Sequence, residues 1–154
     1  MKGGNFSRLG TGLVAGLALV ALSGAGGEAM AGQGGFSLAS LNGSYAGIFS
    51  GTIPNKSGSE TILGTGVFIA DGKGHLSGKE TYTIGTTTCQ ATLSGTYTVG
   101  SDGRGTDSVT FAATTAGCTG GTYTQSLVIA GGGSLVLLAN TNGQQIQEQW
   151  YIQQ

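Results

Sequence analysis

The stretch TCQATLSGTYTVGSDGRGTDSVTFAA, residues 88–113, decides the fold. Within it Leu93, Gly95, Tyr97 and Val99 fall on one side of an extended chain, and Thr92, Ser94, Thr96 and Thr98 on the other. A period of two with one apolar side is what a half-buried antiparallel strand requires. Asp102-Gly103 then interrupts the pattern with a dipeptide that accepts positive φ and suits a tight hairpin. Val109 and Phe111 resume the alternation on the return. The stretch is a hairpin.

The same grammar repeats outward in both directions. Short Thr-, Tyr- and Val-rich runs at 43–52, 60–70, 74–84, 88–99, 105–113, 121–130, 134–140 and 144–153 read as strands, separated by Gly-rich connections. Asp71-Gly72 and Asn142-Gly143 mark two more tight turns. No apolar period of 3.6 residues runs long enough to predict a helix after residue 31. About eight consecutive hairpin-linked strands predict an all-β, antiparallel up-and-down barrel, because closure removes exposed edges. A β-sandwich is the alternative. In a meander the start of the fourth strand, with Cys89, and the loop after the fifth, with Cys118, lie at the same end. That end also collects the looser connections, so a mouth is expected there.

Length and composition agree with one such domain. The 154 residues include 32 glycines, too many for an ordinary chain, but with no collagen-like G-X-Y period. Charged residues make up only 8% and the net charge is −1, which leaves no basic stripe for nucleic acid. The first residues read as an address. Lys2 and Arg8 precede an apolar run, Leu9–Leu22, and Ala29-Met30-Ala31 supplies a small-residue cleavage site. The run is short against the roughly 20 residues that cross a bilayer. The expected organisation is a signal peptide over 1–31 cleaved near Ala31, a flexible Gly-rich lead-in over 32–41, and a barrel over 42–154. The expected destination is the periplasm or the extracellular space, with no transmembrane segment in the mature chain.

Secretion makes Cys89 and Cys118 a disulfide pair, since an even number of thiols in an oxidising compartment favours a bridge. Two cysteines and the lone His75 fall short of a structural zinc site. The D-G-K-G and D-G-R-G turns lack the ligand run of a calcium loop. No metal or cofactor is expected.

LNGSY (41–45), GVFIADGKGHLSG (66–78) and LSGTYTVGSDGRG (93–105) together resemble a loose family of small secreted bacterial β-barrel proteins rich in Gly and Thr, for which no activity is established. A fainter similarity is to the avidin and lipocalin barrels, although only Trp150 is present where a biotin pocket uses several tryptophans. The resemblance implies architecture and carries no binding residue with it.

Alternation then singles out the unusual inward residues. Glu80, Gln125 and Glu148 share the apolar side with Tyr45, Tyr82, Tyr97, Tyr123 and Trp150. The opposite side reads as Thr, Ser, Gln and Lys, which speaks against the lipid-facing wall of an outer-membrane barrel. Burying carboxylates without partners costs several kcal/mol, so two of them need a reason. One reason is a fixed polar core in which tyrosine hydroxyls satisfy the carboxyls. The other is an interior cavity for a small polar-aromatic ligand, lined by these eight residues. In either case at least one of Glu80 and Glu148 is expected to titrate well above the ordinary range. No nucleophile–base or metal constellation is recognisable, and His75 reads as a solvated turn residue, so the expected role is non-catalytic. Two alternatives stand beside it: a self-assembling cell-surface protein, from the Gln-rich, low-charge end GQQIQEQWYIQQ (143–154), and a barrel enzyme using Glu80 and Glu148 as acid and base. A closed barrel is expected to be monomeric.

Overall fold

The computed structural model describes residues 35–55 and 58–154; the expected signal peptide, and with it the expected cleavage site, lie outside the described residues. Eight antiparallel strands follow one another round a closed barrel. They are β1 (Asn42–Asn55), β2 (Gly58–Asp71), β3 (His75–Ile84), β4 (Thr87–Val99), β5 (Arg104–Ala113), β6 (Gly121–Ala130), β7 (Leu135–Asn140) and β8 (Gln145–Ile152). Each pairs with its neighbour in sequence, and β8 closes on β1 from Tyr45 opposite Ile152 to Thr52 opposite Gln145. The up-and-down barrel is therefore correct and the sandwich is not. No helix among the described residues is long and apolar enough to cross a membrane.

The tight turns form as their dipeptides require. Gly72 and Gly103 take φ of 71° and 80°. The preceding aspartates accept backbone N–H groups two residues on: Asp71 Oδ1 from Lys73 at 2.7 Å, and Asp102 Oδ1 from Arg104 at 3.1 Å. Both hairpin tips lie at the end of the barrel opposite Cys118. That end is sealed. Phe36 and Leu38 pack against the core, and a single 3-10 turn, Leu38–Ser40, leads into the fully buried Leu41. The Tyr97 hydroxyl faces the carbonyls of Leu41 (2.7 Å) and Leu38 (3.0 Å), and the Tyr45 hydroxyl donates to Gly133 O at 3.0 Å. Residues 32–41, expected as a flexible lead-in, thus act from Phe36 onward as a plug. Their Gly/Ser composition hid three apolar side chains that the barrel end needs.

The inward side chains form two apolar layers. One, against the plug, holds Leu41, Tyr45, Phe68, Leu76, Leu93, Tyr97, Leu127, Val136 and Trp150 among others. The second, at the disulfide end, is smaller: Phe49, Ile62, Tyr82, Cys89, Ala91 and Ile146. Inward glycines make room for rings. A Cβ on Gly47 would stand 2.8 Å from Trp150 Cδ1 and nearer still to Phe68, whose ring stacks on Trp150 at 4.7 Å and 14°.

The outward face is less uniform than its alternation suggests. Thr and Ser dominate β4 to β6, where Thr98–Thr106 and Thr110–Thr122 hydroxyl pairs bridge strands at 3.0 and 2.9 Å. Ile48, Leu63, Val67 and Ile69 on β1 and β2, with Val128, Leu137 and Tyr151 on β6 to β8, are exposed. The polar outer face expected from β3 and β4 does not extend round the barrel, because the remaining strands carry branched residues on both sides.

Candidate functional site

Between the two apolar layers lie the barrel's buried polar side chains: Glu80 on β3, Asp107 on β5, Gln125 on β6 and Glu148 on β8, all under 8% exposed. Strand parity puts them there. Glu80 stands two residues from Tyr82, Gln125 two from Leu127, and Glu148 two from Ile146 and from Trp150, so each points the way its apolar neighbours point. Register then brings Asp107 directly opposite Gln125, and Gln125 opposite Asn140.

Glu80, Gln125 and Glu148 of this polar layer, but not Asp107, line a cavity of about 80 Å³. Phe49, Ile53, Ile62, Ile84, Phe111 and Ile146 form its apolar wall; Tyr82, Tyr123, Gln125, Asn140 and Thr119 add polar tips; Glu80 and Glu148 lie at its base. The cavity lies at the disulfide end, as the loop lengths predict. The Cys89–Cys118 bridge, with Cα atoms 6.0 Å apart, ties the long β5–β6 loop to β4 beside it. Thr114 N–H to Gln90 O (2.8 Å) and Gln90 N–H to Thr115 Oγ1 (2.9 Å) fix the same loop.

The three carboxyls differ in their partners. Glu148 has a donor on each oxygen: Trp150 Nε1–H at 2.6 Å and, more weakly, Gln125 Nε2–H at 3.4 Å. Burial raises its pKa to about 7, and those two donors hold it from going higher. Glu80 receives no hydrogen bond from any described residue; burial, and then the nearby Glu148 charge, push it up to about 8. Asp107 also rises to about 8, by burial first and Glu148 second, with the Gln125 backbone N–H pulling weakly the other way. With two donors, Glu148 is the carboxyl best placed to hold a charge, and that charge favours protons on the other two. The raised titration expected for at least one of Glu80 and Glu148 holds for both.

The amide row beside Asp107 closes in one of two ways. Gln125 Nε2 donates to Asn140 Oδ1 at 2.9 Å, which leaves the Gln125 amide oxygen 3.3 Å from both Asp107 oxygens. Two facing acceptors repel unless one carries a proton. With the Gln125 amide reversed, and Asn140 and the half-exposed Gln144 turned to match, the Gln125 N–H donates to Asp107 at 3.3 Å instead. In the first arrangement a proton on Asp107, donated to Gln125, satisfies every group in the row.

Of the eight inward residues singled out from sequence, five meet at the cavity: Glu80, Tyr82, Tyr123, Gln125 and Glu148. Tyr45, Tyr97 and Trp150 do not line it. Tyr45 and Tyr97 anchor the plug end, and Trp150 is fully buried beneath the floor, where its N–H positions Glu148. Asp107 and Asn140 escaped the sequence reading. The signal for Asp107 is present in the sequence, since Val109 and Phe111 point inward and Asp107 shares their parity. His75 is exposed, as read, and opens β3 beside the Asp71-Gly72 turn, but it is not unpartnered. Its Nδ1 lies 2.8 Å from Asp71 Oδ2, and Asp71 is held down to about 2, chiefly by the His75 backbone N–H. This pair stands at the sealed end, away from the cavity. Among the described residues no cluster of His, Cys, Asp and Glu has the arrangement of a metal centre.

No family model, no curated protein and no solved structure matches this chain, so the site stands on its own geometry.

Proposed function

We propose that this protein is a secreted barrel that binds a small molecule at its disulfide end without transforming it. The observation that carries the reading is a set of polar tips with no protein partner inside an apolar wall. The Glu80 carboxyl and the Tyr82 and Tyr123 hydroxyls all face the cavity, and no described side chain hydrogen-bonds to them. No enclosed side-chain nitrogen or oxygen among the described residues lacks a partner, so these tips are open to the cavity space, where an incoming ligand can meet them; a core that only had to be stable would fill that space and pair them. The volume limits the occupant. Drug-sized ligands fill roughly 300–1,000 Å³, so a cavity of about 80 Å³ takes a small molecule or the head of a longer one. The disulfide accords with export to an oxidising compartment.

Native mass spectrometry of the protein isolated from its source, disulfide intact, tests this. A non-covalent adduct is expected that disappears on unfolding and is absent from the cavity-filling variant Ile62→Trp. Adduct-free protein, or an adduct retained by Ile62→Trp, contradicts the reading. Turnover of the bound molecule that stops in Glu80→Gln would replace it with the acid–base alternative.

A further inference from the structure

We propose that the cavity selects a cation, a primary ammonium or amidinium group carried on a small apolar body. The inference rests on the binding reading above and names the ligand class for the same site. Its first ground is placement. Glu80 and Glu148 form the base of a cavity whose wall is aromatic and branched aliphatic, and Glu80, 93% buried, faces that space with no hydrogen-bond donor from any described residue. Once it gives up its proton, a carboxyl so placed offers four lone-pair sites to an incoming N–H group.

The second ground is the charge around it. On β3 the inward titratable groups are Glu80 and Tyr82, on β5 Asp107, on β6 Tyr123 and on β8 Glu148. The inward side chains of β1, β2, β4 and β7 at this level, Phe49, Gly66, Ala91 and Leu138, carry no charge. No described basic side chain points inward: Lys79 lies on the outer side of β3, and Lys73 and Arg104 sit at the sealed-end turns. The cluster therefore has acids and no counter-ion of its own. An ammonium entering from the mouth supplies both the missing charge and the missing donors. It replaces the protons that otherwise keep the acids neutral, as the raised titration of all three acids implies. The apolar wall, with Phe49 and Tyr82 ring centroids 6.5 Å apart, then covers the body of the ligand. An anion would face the same acids as a like charge, and a neutral ligand would gain the wall but not the floor.

Calorimetry with the disulfide-intact protein and three probes of one shape, benzylammonium, benzyl alcohol and benzoate, tests the idea. Benzylammonium is expected to bind at least tenfold tighter than benzyl alcohol at pH 8, and to lose at least tenfold in affinity between pH 8 and pH 5.5. Binding at pH 6.5 is expected to release protons, read from the dependence of the heat on buffer. Glu80→Gln, whose neutral side chain suits the buried site, is expected to fold and to narrow the preference for benzylammonium over benzyl alcohol at least tenfold. Equal or tighter binding of benzyl alcohol or benzoate would overturn the cation selectivity while leaving a small-molecule cavity in place. If none of the three probes binds, and the source-isolated protein carries no adduct, the binding reading itself fails with it. If an adduct is present but carries no basic nitrogen, only the cation selectivity fails.

Discussion

Replacing Glu80 by Gln is expected to stabilise the protein, and to do so increasingly as pH rises. The folded Glu80 titrates at about 8 against an ordinary value of 4.5. The unfolded chain therefore releases this proton first. Stability is full below about 4.5, declines as pH rises from there toward 8, and levels off above it. At 1.36 kcal/mol per unit, the penalty is about 1 kcal/mol at pH 5 and about 4 kcal/mol at pH 8, a difference of about 3 kcal/mol. Gln has nearly the same shape and no charge to lose. Urea denaturation of both proteins, disulfide intact, at pH 5 and pH 8 reads the effect directly. The two should differ little at pH 5, with the variant ahead by about 3 kcal/mol more at pH 8. Asp107 and Glu148 keep some slope in the variant, since both are also raised. Parent stability that is flat or rises from pH 5 to pH 8, or an unchanged slope in Glu80→Gln, would refute the account of a buried, neutral acid.

Three further variants probe the frame. Changing Cys89 and Cys118 together to Ala opens a loop of 29 residues' separation and should cost about 3–4 kcal/mol by loop entropy, seen as a lower urea midpoint. Gly47→Ala drives a methyl group into the Phe68–Trp150 stack and should cost about 1–3 kcal/mol, with a changed Trp150 fluorescence maximum. Tyr97→Phe removes the hydroxyl that holds the plug and should cost about 1–3 kcal/mol, with faster amide exchange at Phe36 and Leu41; uniform loss of protection over all strands would contradict a local role.

Most of the barrel was legible because its physics is local. Alternation in β3 and β4 states which side chains point inward, Asp-Gly pairs state where the chain reverses, and a meander of hairpins needs no long-range inference to bring Cys89 and Cys118 together. The site was half legible for the same reason. Parity says that Glu80 and Glu148 face the interior but not at what depth. Depth depends on barrel tilt and on what fills each end, and only the plug at Phe36–Leu41 makes clear that Tyr45, Tyr97 and Trp150 serve the closed end. Gly-rich composition concealed that plug. Asp107 was hidden by a different ambiguity, since an aspartate three residues into a strand after a tight turn has the same local sequence whether solvated or buried. The partnering of Gln125 with Asp107 and Asn140 is a register effect across β5, β6 and β7, which single-strand patterns do not contain.

The most direct test of the central claim is a carboxyl ¹³C NMR titration of Glu80, Asp107 and Glu148. The three are expected to titrate as one coupled cluster, every apparent midpoint well above the ordinary carboxylate range. The first ionisation should fall near 7 and be seen most strongly at Glu148, with Glu80 and Asp107 following near 8. Completion of all three transitions close to pH 4 would mean solvated, independent carboxylates, and would contradict the buried acidic floor on which the proposed function rests.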